Sequence, residues 1–166
     1  MSGIKIKSKE HLDRMRIAGK RLASVMSYIE SFVKAGVTTL YLDELLEKKM
    51  LEIELKPECK GFGSYKHVSC ISVNNGIVHG VPSSNIVLKS GDFVKIDVVG
   101  SYRGYCADMA RSFFVENASP LAQKLAAVAQ KALDKGIEKA IAGNRLYDIS
   151  YAIQEVVESE GFGIVT

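Results

Sequence analysis

Two aspartates lie in the segment VKIDVVGSYRGYCADMARSFFV, residues 94 to 115, each in mostly apolar company on what reads as one of two β-strands around a polar turn. Facing residues of an antiparallel pair have position numbers of constant sum. A tight turn on Tyr102-Arg103, or a four-residue loop from Ser101 to Gly104, therefore sets Asp97 directly opposite Asp108, with Cβ atoms about 5 Å apart. A three-residue loop with Gly104 as a bulge shifts the register by one and sends the two side chains to opposite faces. Like charges facing each other on a sheet are destabilising, and partial burial adds a desolvation cost. A shared proton on a carboxyl of raised pKa offsets that cost, and so does a divalent cation coordinated by both groups. Aspartates turned to water need neither.

A third group is His79, in NNGIVHGVP, between β-branched residues and a Gly-Val-Pro turn. There a histidine serves either as a structural hydrogen-bonding residue or as a catalytic group. His11, on a helix, and His67, in a polar loop, are expected to be solvated. The three cysteines, Cys59, Cys70 and Cys106, form no CxxC pair and are odd in number, which argues against a zinc knuckle and a closed disulfide framework and for reduced thiols. No nucleophilic-serine elbow, phosphate loop, HExxH helix or calcium-binding loop occurs.

The elements that must position these groups follow from hydrophobic period and punctuation. Ser8 is placed to cap a helix with Leu12, Met15, Leu22, Met26, Ile29 and Val33 at helical spacing, and Gly36 to stop it. A second helix starts near Thr39, carries Leu42, Leu45, Leu46, Met50 and Ile53 on one face, and ends before Pro57. From Cys59 to Val115, Gly and Ser punctuate the short runs CISV (70 to 73), IV (77 to 78), IVL (86 to 88) and FVKIDVV (93 to 99), predicting a mainly antiparallel sheet. Ser119-Pro120 opens a third helix with Leu125, Val128, Leu133, Ile137 and Ile141 as its apolar stripe and Gly143 as its stop. A fourth carries Ile149, Ile153, Val156 and Val157 and closes at Gly161. AGVTTLYLDELLEKKM and AGNRLYDISYAIQEVV share an Ala-Gly stop, a Leu-Tyr and an amphipathic helix, so the two helix pairs read either as equivalent, duplicated units or as a short chance match.

With 166 residues the chain fits one domain able to bury roughly 70% of its unfolded surface. Hydrophobic residues at 47% and charged residues at 25% exclude a disordered or fibrous chain. A net charge of +3, without a block of like charge, leaves no electrostatic footprint for nucleic acid. The start, MSGIKIKSKEHLDR, lacks the apolar core of a signal peptide, and nowhere do 18 apolar residues run together, so no membrane partner is expected and a cytoplasmic, soluble protein is.

Taken together, CISVNNGIVHGVP, LKSGDFVKIDVVGSYRGYCADMARSFFV and AIAGNRLYDISYAIQEVVESEGF resemble the type I methionine aminopeptidases of the metal-dependent pita-bread peptidase family, from about residue 8 to the last residue. The most specific element is the hairpin with its two aspartates, placed after Val78-His79-Gly80. The resemblance implies an α+β pita-bread fold and a site for two divalent metal ions (Co, Mn, Fe or Zn), with Asp97 and Asp108 as ligands and Asp108 bridging. It implies that His79 hydrogen-bonds the substrate at the scissile peptide, and that Cys59, Phe62, Tyr65 and Cys70 line the pocket for an N-terminal methionine. The implied reaction is removal of initiator methionine from nascent peptides near the ribosome, by water activated on the metals.

The departures from the family pattern carry expectations of their own. The family's remaining ligands, one histidine and two glutamates, belong to strands beyond Thr166, so residues 1–118 are expected to form a complete first half and 119–166 the helices of a second half whose sheet is missing. The chain alone is then expected to be inactive or nearly so, with an open sheet edge that promotes self-association. Ala107 and Met109, where glycine and a small polar residue are usual, are expected to crowd the site. A non-catalytic pita-bread binding module or inactive remnant is the alternative, and a prolidase-like relative is less favoured because such chains usually carry a large preceding domain.

Overall fold

A computed structural model describes residues 4–165. The chain divides into two compact units, Met1–Asn117 and Ala118–Thr166. The first contains helices α1 (Lys9–Glu30) and α2 (Thr39–Glu52) and strands β1 (Lys56–Pro57), β2 (Ser69–Val73), β3 (Phe93–Tyr102) and β4 (Tyr105–Phe114). The second contains α3 (Pro120–Lys139) and α4 (Leu146–Ser159).

In the first unit, the Ser8 hydroxyl accepts from the His11 N–H at 3.3 Å and caps α1 as expected. Ala18, Leu22, Val25, Met26 and Ile29 fall on one stripe and are fully buried. The helix ends at Glu30, well before Gly36, whose φ of +86° serves the turn into α2. Thr38 caps α2 by accepting from the Tyr41 N–H at 3.1 Å, and Leu42, Leu46 and Met50 point inward.

All the strand pairs are antiparallel, and β3 is the spine. β1 and β2 pair along it, and β4 also pairs with it over its whole length. Strand alternation sorts the side chains. Val94, Ile96 and Val98 turn to the helices, together with Ile71 on β2 and Phe113 on β4, and all five belong to the buried core with Leu22, Met26, Leu42 and Leu46. Lys95, Asp97 and Val99 take the opposite face, with Cys70 and Ser72 from β2 and Asp108, Ala110 and Ser112 from β4. The expected strands at 77–78 and 86–88 do not form. Ile77 and Val78 are exposed in a loop, and Val87 makes only an isolated bridge with Thr38.

In the second unit, Ser119 caps α3 by accepting from the Ala122 N–H at 3.2 Å, with Pro120 in the first turn. The Asp148 carboxylate accepts from the Arg145 N–H at 2.7 Å at the start of α4. The two helices meet at Gly136, where an added Cβ would lie 2.9 Å from the Ile153 side chain. Of the apolar stripe expected on α3 only Val128 is buried; Leu133, Ile137 and Ile141 are 53–61% exposed. The local build of the pairs agrees with the matching sequences. Helices α2 and α4 each have 14 residues, and each follows a positive-φ glycine, Gly36 or Gly143, by way of a cap two residues later, Thr38 or Arg145. The α+β architecture expected from the pattern is what forms: four helices and one four-stranded antiparallel sheet among the described residues.

Candidate active site

The hairpin turn determines where the two aspartates meet. Tyr102 pairs with Tyr105, leaving Arg103-Gly104 as a two-residue turn with φ of +50° and +82°. Two successive positive φ values match the right-handed strand twist; Gly104 adopts its value freely, and Arg103 does so at a cost. The Arg103 guanidinium lies 5.1 Å from the Tyr102 ring centre, and that of Arg21 packs over the same ring at 3.8 Å.

This register corrects both sequence expectations. Asp97 pairs with Ala110, and Asp108 pairs with Val99, so the aspartates are neither directly opposite nor on opposite faces. They are diagonal neighbours on one face, within reach of each other. Burial first, then the charge of Asp108 and a hydrogen bond with it, push the Asp97 carboxyl above its ordinary value, while His79 pulls it down. Two converging oxygen donors fit a hard divalent cation. Among the described residues no group of three or more His, Cys, Asp or Glu side chains is gathered closely enough to hold one. Ala107 and Met109 do not crowd the carboxylates as expected, because alternation turns both to the helix side, where they pack against the core.

His79 sits exposed at the end of the 74–79 loop with a φ of +57°. Its position is held by the next residue. The Ile71 N–H donates to the Gly80 carbonyl at 2.8 Å, and the Gly80 N–H donates to the Ser72 hydroxyl at 3.0 Å. The approach is so close that a Cβ at residue 80 would stand 2.3 Å from the Ile71 carbonyl oxygen.

Next to the carboxylates lies a pocket of about 430 Å³ lined by Glu58, Cys59, Phe62, Tyr65, Cys70, His79 and Val99. All four residues singled out for a methionine pocket are among them, and so is His79. The pocket adjoins the aspartates through the strands: Cys70 pairs with Asp97, and Val99 with Asp108. The Tyr65 hydroxyl donates to the Ser69 carbonyl at 2.7 Å and lies 3.5 Å from the Cys70 sulfur. Burial raises the pKa of Tyr65 and of the Cys59 thiol, so both stay neutral at physiological pH. Glu58 at the rim is held below the usual carboxylate range by the Ser101 hydroxyl and by Lys56. Phe62 is 82% exposed and forms an open wall.

Sequence reasoning missed Glu58 and Val99 as lining residues; Val99 was legible only as a strand residue two positions from Asp97. It also placed His67 in solvent. His67 instead sits 3.0 Å from the carboxylate of Asp43, a buried residue of α2.

A family model described as metallopeptidase family M24 matches residues 13–166, and the chain belongs to that family. Use of a metal ion comes with that class. Among characterised relatives, the chain is similar to the methionine aminopeptidase of Clostridium acetobutylicum, at 41% identity over 96% of this chain and 64% of the relative. Among solved structures it is similar to the methionine aminopeptidases of Rickettsia prowazekii, with a TM-score of 0.96 and 32% identity over 98% of this chain and 65% of that one, and of Thermotoga maritima, with a TM-score of 0.93 and 35% identity over 98% and 66%. The fold is thus the pita-bread fold. The chain spans about 64% of the length of the curated relatives it matches. No described helix is long and apolar enough to cross a membrane.

Proposed function

We propose that this chain carries the methionine pocket and two of the metal ligands of an aminopeptidase that removes N-terminal methionine from nascent peptides in the cytoplasm, close to the ribosome. The observation that supports this reading best is the adjacency of the 430 Å³ pocket to the Asp97–Asp108 face, with Cys70 and Val99 belonging to both. Cys59 and Cys70 offer polarisable sulfur, and Phe62 and Tyr65 aromatic surface, to a thioether side chain. Tyr65 is held by its bond to Ser69, so it packs against the side chain without offering a charge. His79 lines the pocket, and on this reading it donates a hydrogen bond at the scissile peptide.

Asp97 and Asp108 would hold the metal, two divalent ions of the Mn, Fe, Co or Zn type on this reading. Such ions supply Lewis acidity and a nucleophilic water at neutral pH. With no third protein ligand near them among the described residues, the two carboxylates bind a single divalent ion weakly, with a Kd of about 1 mM. The same reading takes 1–118 as one half of the fold and 119–166 as helices of the other. Self-association is part of it, because β4 pairs only with β3 among the described residues and leaves an open edge.

The test is release of methionine from Met-Ala-Ser with Mn²⁺, using the chain alone and then mixed with the C-terminal third of a relative. Release in either arm, lost in Asp108→Asn, supports the proposal. No release in both arms overturns it in favour of a non-catalytic binding module.

A further inference from the structure

Away from the carboxylate pair, a buried polar cluster of the first unit is centred on Asp43, which is 4% exposed. Its Oδ1 accepts from the Val68 N–H at 3.1 Å, the Ser69 N–H at 2.9 Å and the Ser69 hydroxyl at 2.6 Å, and its Oδ2 lies 3.0 Å from His67 Nδ1. A buried carboxylate is costly unless its oxygens are satisfied. Here every partner comes from residues 67–69, where the irregular segment that starts at Glu58 enters β2.

That junction reaches the pocket in one step. The Ser69 carbonyl accepts the Tyr65 hydroxyl at 2.7 Å, and the Tyr65 ring meets the His67 ring edge-on at 5.7 Å. At its other end the segment is tied to the sheet by the Glu58 N–H, which donates to the Val99 carbonyl at 3.0 Å. Between these ties it is held by turn hydrogen bonds of its own, such as Gly61 N–H to the Tyr65 carbonyl at 2.9 Å, and by a solvent-accessible ion pair of Lys60 with Glu47 of α2 at 2.6 Å. Asp43 is thus the buried helix-side anchor of a loop that otherwise has little regular structure to hold it.

We propose that Asp43 is a positioning residue: through Ser69 and Tyr65 it fixes the 58–69 segment and so sets the shape of the pocket walled by Cys59, Phe62, Tyr65 and Cys70. The anchoring stands on the hydrogen bonds alone; only the identity of the occupant rests on the aminopeptidase reading above.

The three cysteines report on this directly. Cys59 and Cys70 are half-buried in the pocket wall, while Cys106 is exposed elsewhere and serves as an internal reference. Alkylation by iodoacetamide, resolved by mass spectrometry for each cysteine at one pH, is measured with and without L-methionine. In Asp43→Ala, which removes the whole anchor, the rates at Cys59 and Cys70 are expected to rise about tenfold with Cys106 unchanged, and L-methionine ceases to protect. Asp43→Asn keeps an oxygen for the three bonds to Val68 and Ser69, and is expected to restore the rates to within about threefold of the parent. Unchanged rates at Cys59 and Cys70 in Asp43→Ala, a parallel rise at Cys106, or no rescue by Asp43→Asn overturns the proposal. If Asp43→Ala does not fold, Ser69→Ala carries the test, with about a threefold rise at Cys70 expected and no rise overturning it. L-methionine that fails to protect the parent chain, while the Asp43→Ala effect holds, rejects methionine as the occupant and leaves the anchor in place.

Discussion

Replacing Asp108 by Asn is expected to stabilise the metal-free chain while destroying its response to metal. Asp97 is raised above its ordinary value by burial and by the Asp108 carboxylate. A carboxyl whose folded pKa lies above its unfolded one binds more protons in the folded state, so its contribution to stability falls as pH rises from the unfolded value through the folded one. At pH 7 the like-charge repulsion is present, and at pH 3, where the raised Asp97 carboxyl is protonated, it is gone. Asp108 is exposed and Asp97 half-buried, so solvent screening limits the repulsion to about 0.5 kcal/mol, the size of a like-charge pair on a sheet surface. Urea unfolding in EDTA should therefore show Asp108→Asn more stable than the parent by about 0.5 kcal/mol at pH 7 and equal to it at pH 3. Mn²⁺ at 10 mM reverses the order: with a Kd of about 1 mM it adds about 1.4 kcal/mol to the parent and little to the variant. A variant less stable than the parent in EDTA, or equal stabilisation of both by Mn²⁺, would refute the reading of the pair as a cation site held in repulsion.

Two further outcomes follow from the geometry around the site. Gly80→Ala places a Cβ 2.3 Å from the Ile71 carbonyl oxygen, backbone that cannot step aside, so the 74–80 loop should detach from β2 and lose both of its anchoring bonds. At about 1 kcal/mol per bond, amide exchange at Ile71 should quicken roughly thirtyfold, and unchanged exchange would show that the loop is held otherwise. Arg103→Asn puts a residue tolerant of positive φ into the hairpin turn and should raise stability by about 0.5 kcal/mol in thermal or urea unfolding, net of the lost packing on Tyr102; a loss instead would mean that the stack outweighs the turn strain.

How much of this was readable in advance depends on which physical signal carried it. Capping by Ser8, Ser119 and the start of α2 was legible because a hydroxyl before an apolar period has one favourable use. The extent of α1 was not: the chain leaves the helix at Glu30, and Gly36 serves the turn that follows. The runs at 77–78 and 86–88 have strand propensity, yet β3 is already paired by β4, β2 and the short β1, so those residues stay in loops. Asp43 and His67 escaped notice because neither a carboxylate on a helix nor a histidine in a loop announces a partner 24 residues away.

The aspartate hairpin separates what alternation decides from what a turn decides. Val94, Ile96 and Val98 face the helices, which puts Asp97 on the other side whatever the turn does. On β4, Phe113 must join the same core, and Ala107 and Met109 share its parity, so Asp108 is forced to the face of Asp97 by burial alone. Any turn compatible with the core therefore shifts the register in steps of two, and the odd-numbered loop that would have split the pair was excluded by Phe113 before turn chemistry entered. What burial leaves free is the choice among even steps, and that choice rests on Gly104 taking a positive φ beside Arg103, which moves Asp108 from directly opposite Asp97 to the diagonal. The diagonal suits two carboxylates better than direct opposition does: it widens their separation and eases the repulsion while leaving both side chains on one face. The demand of the core for a buried Phe113 and the demand of the site for a shared face are thus the same constraint on one strand, so a one-residue insertion in the turn would cost the fold and the site together.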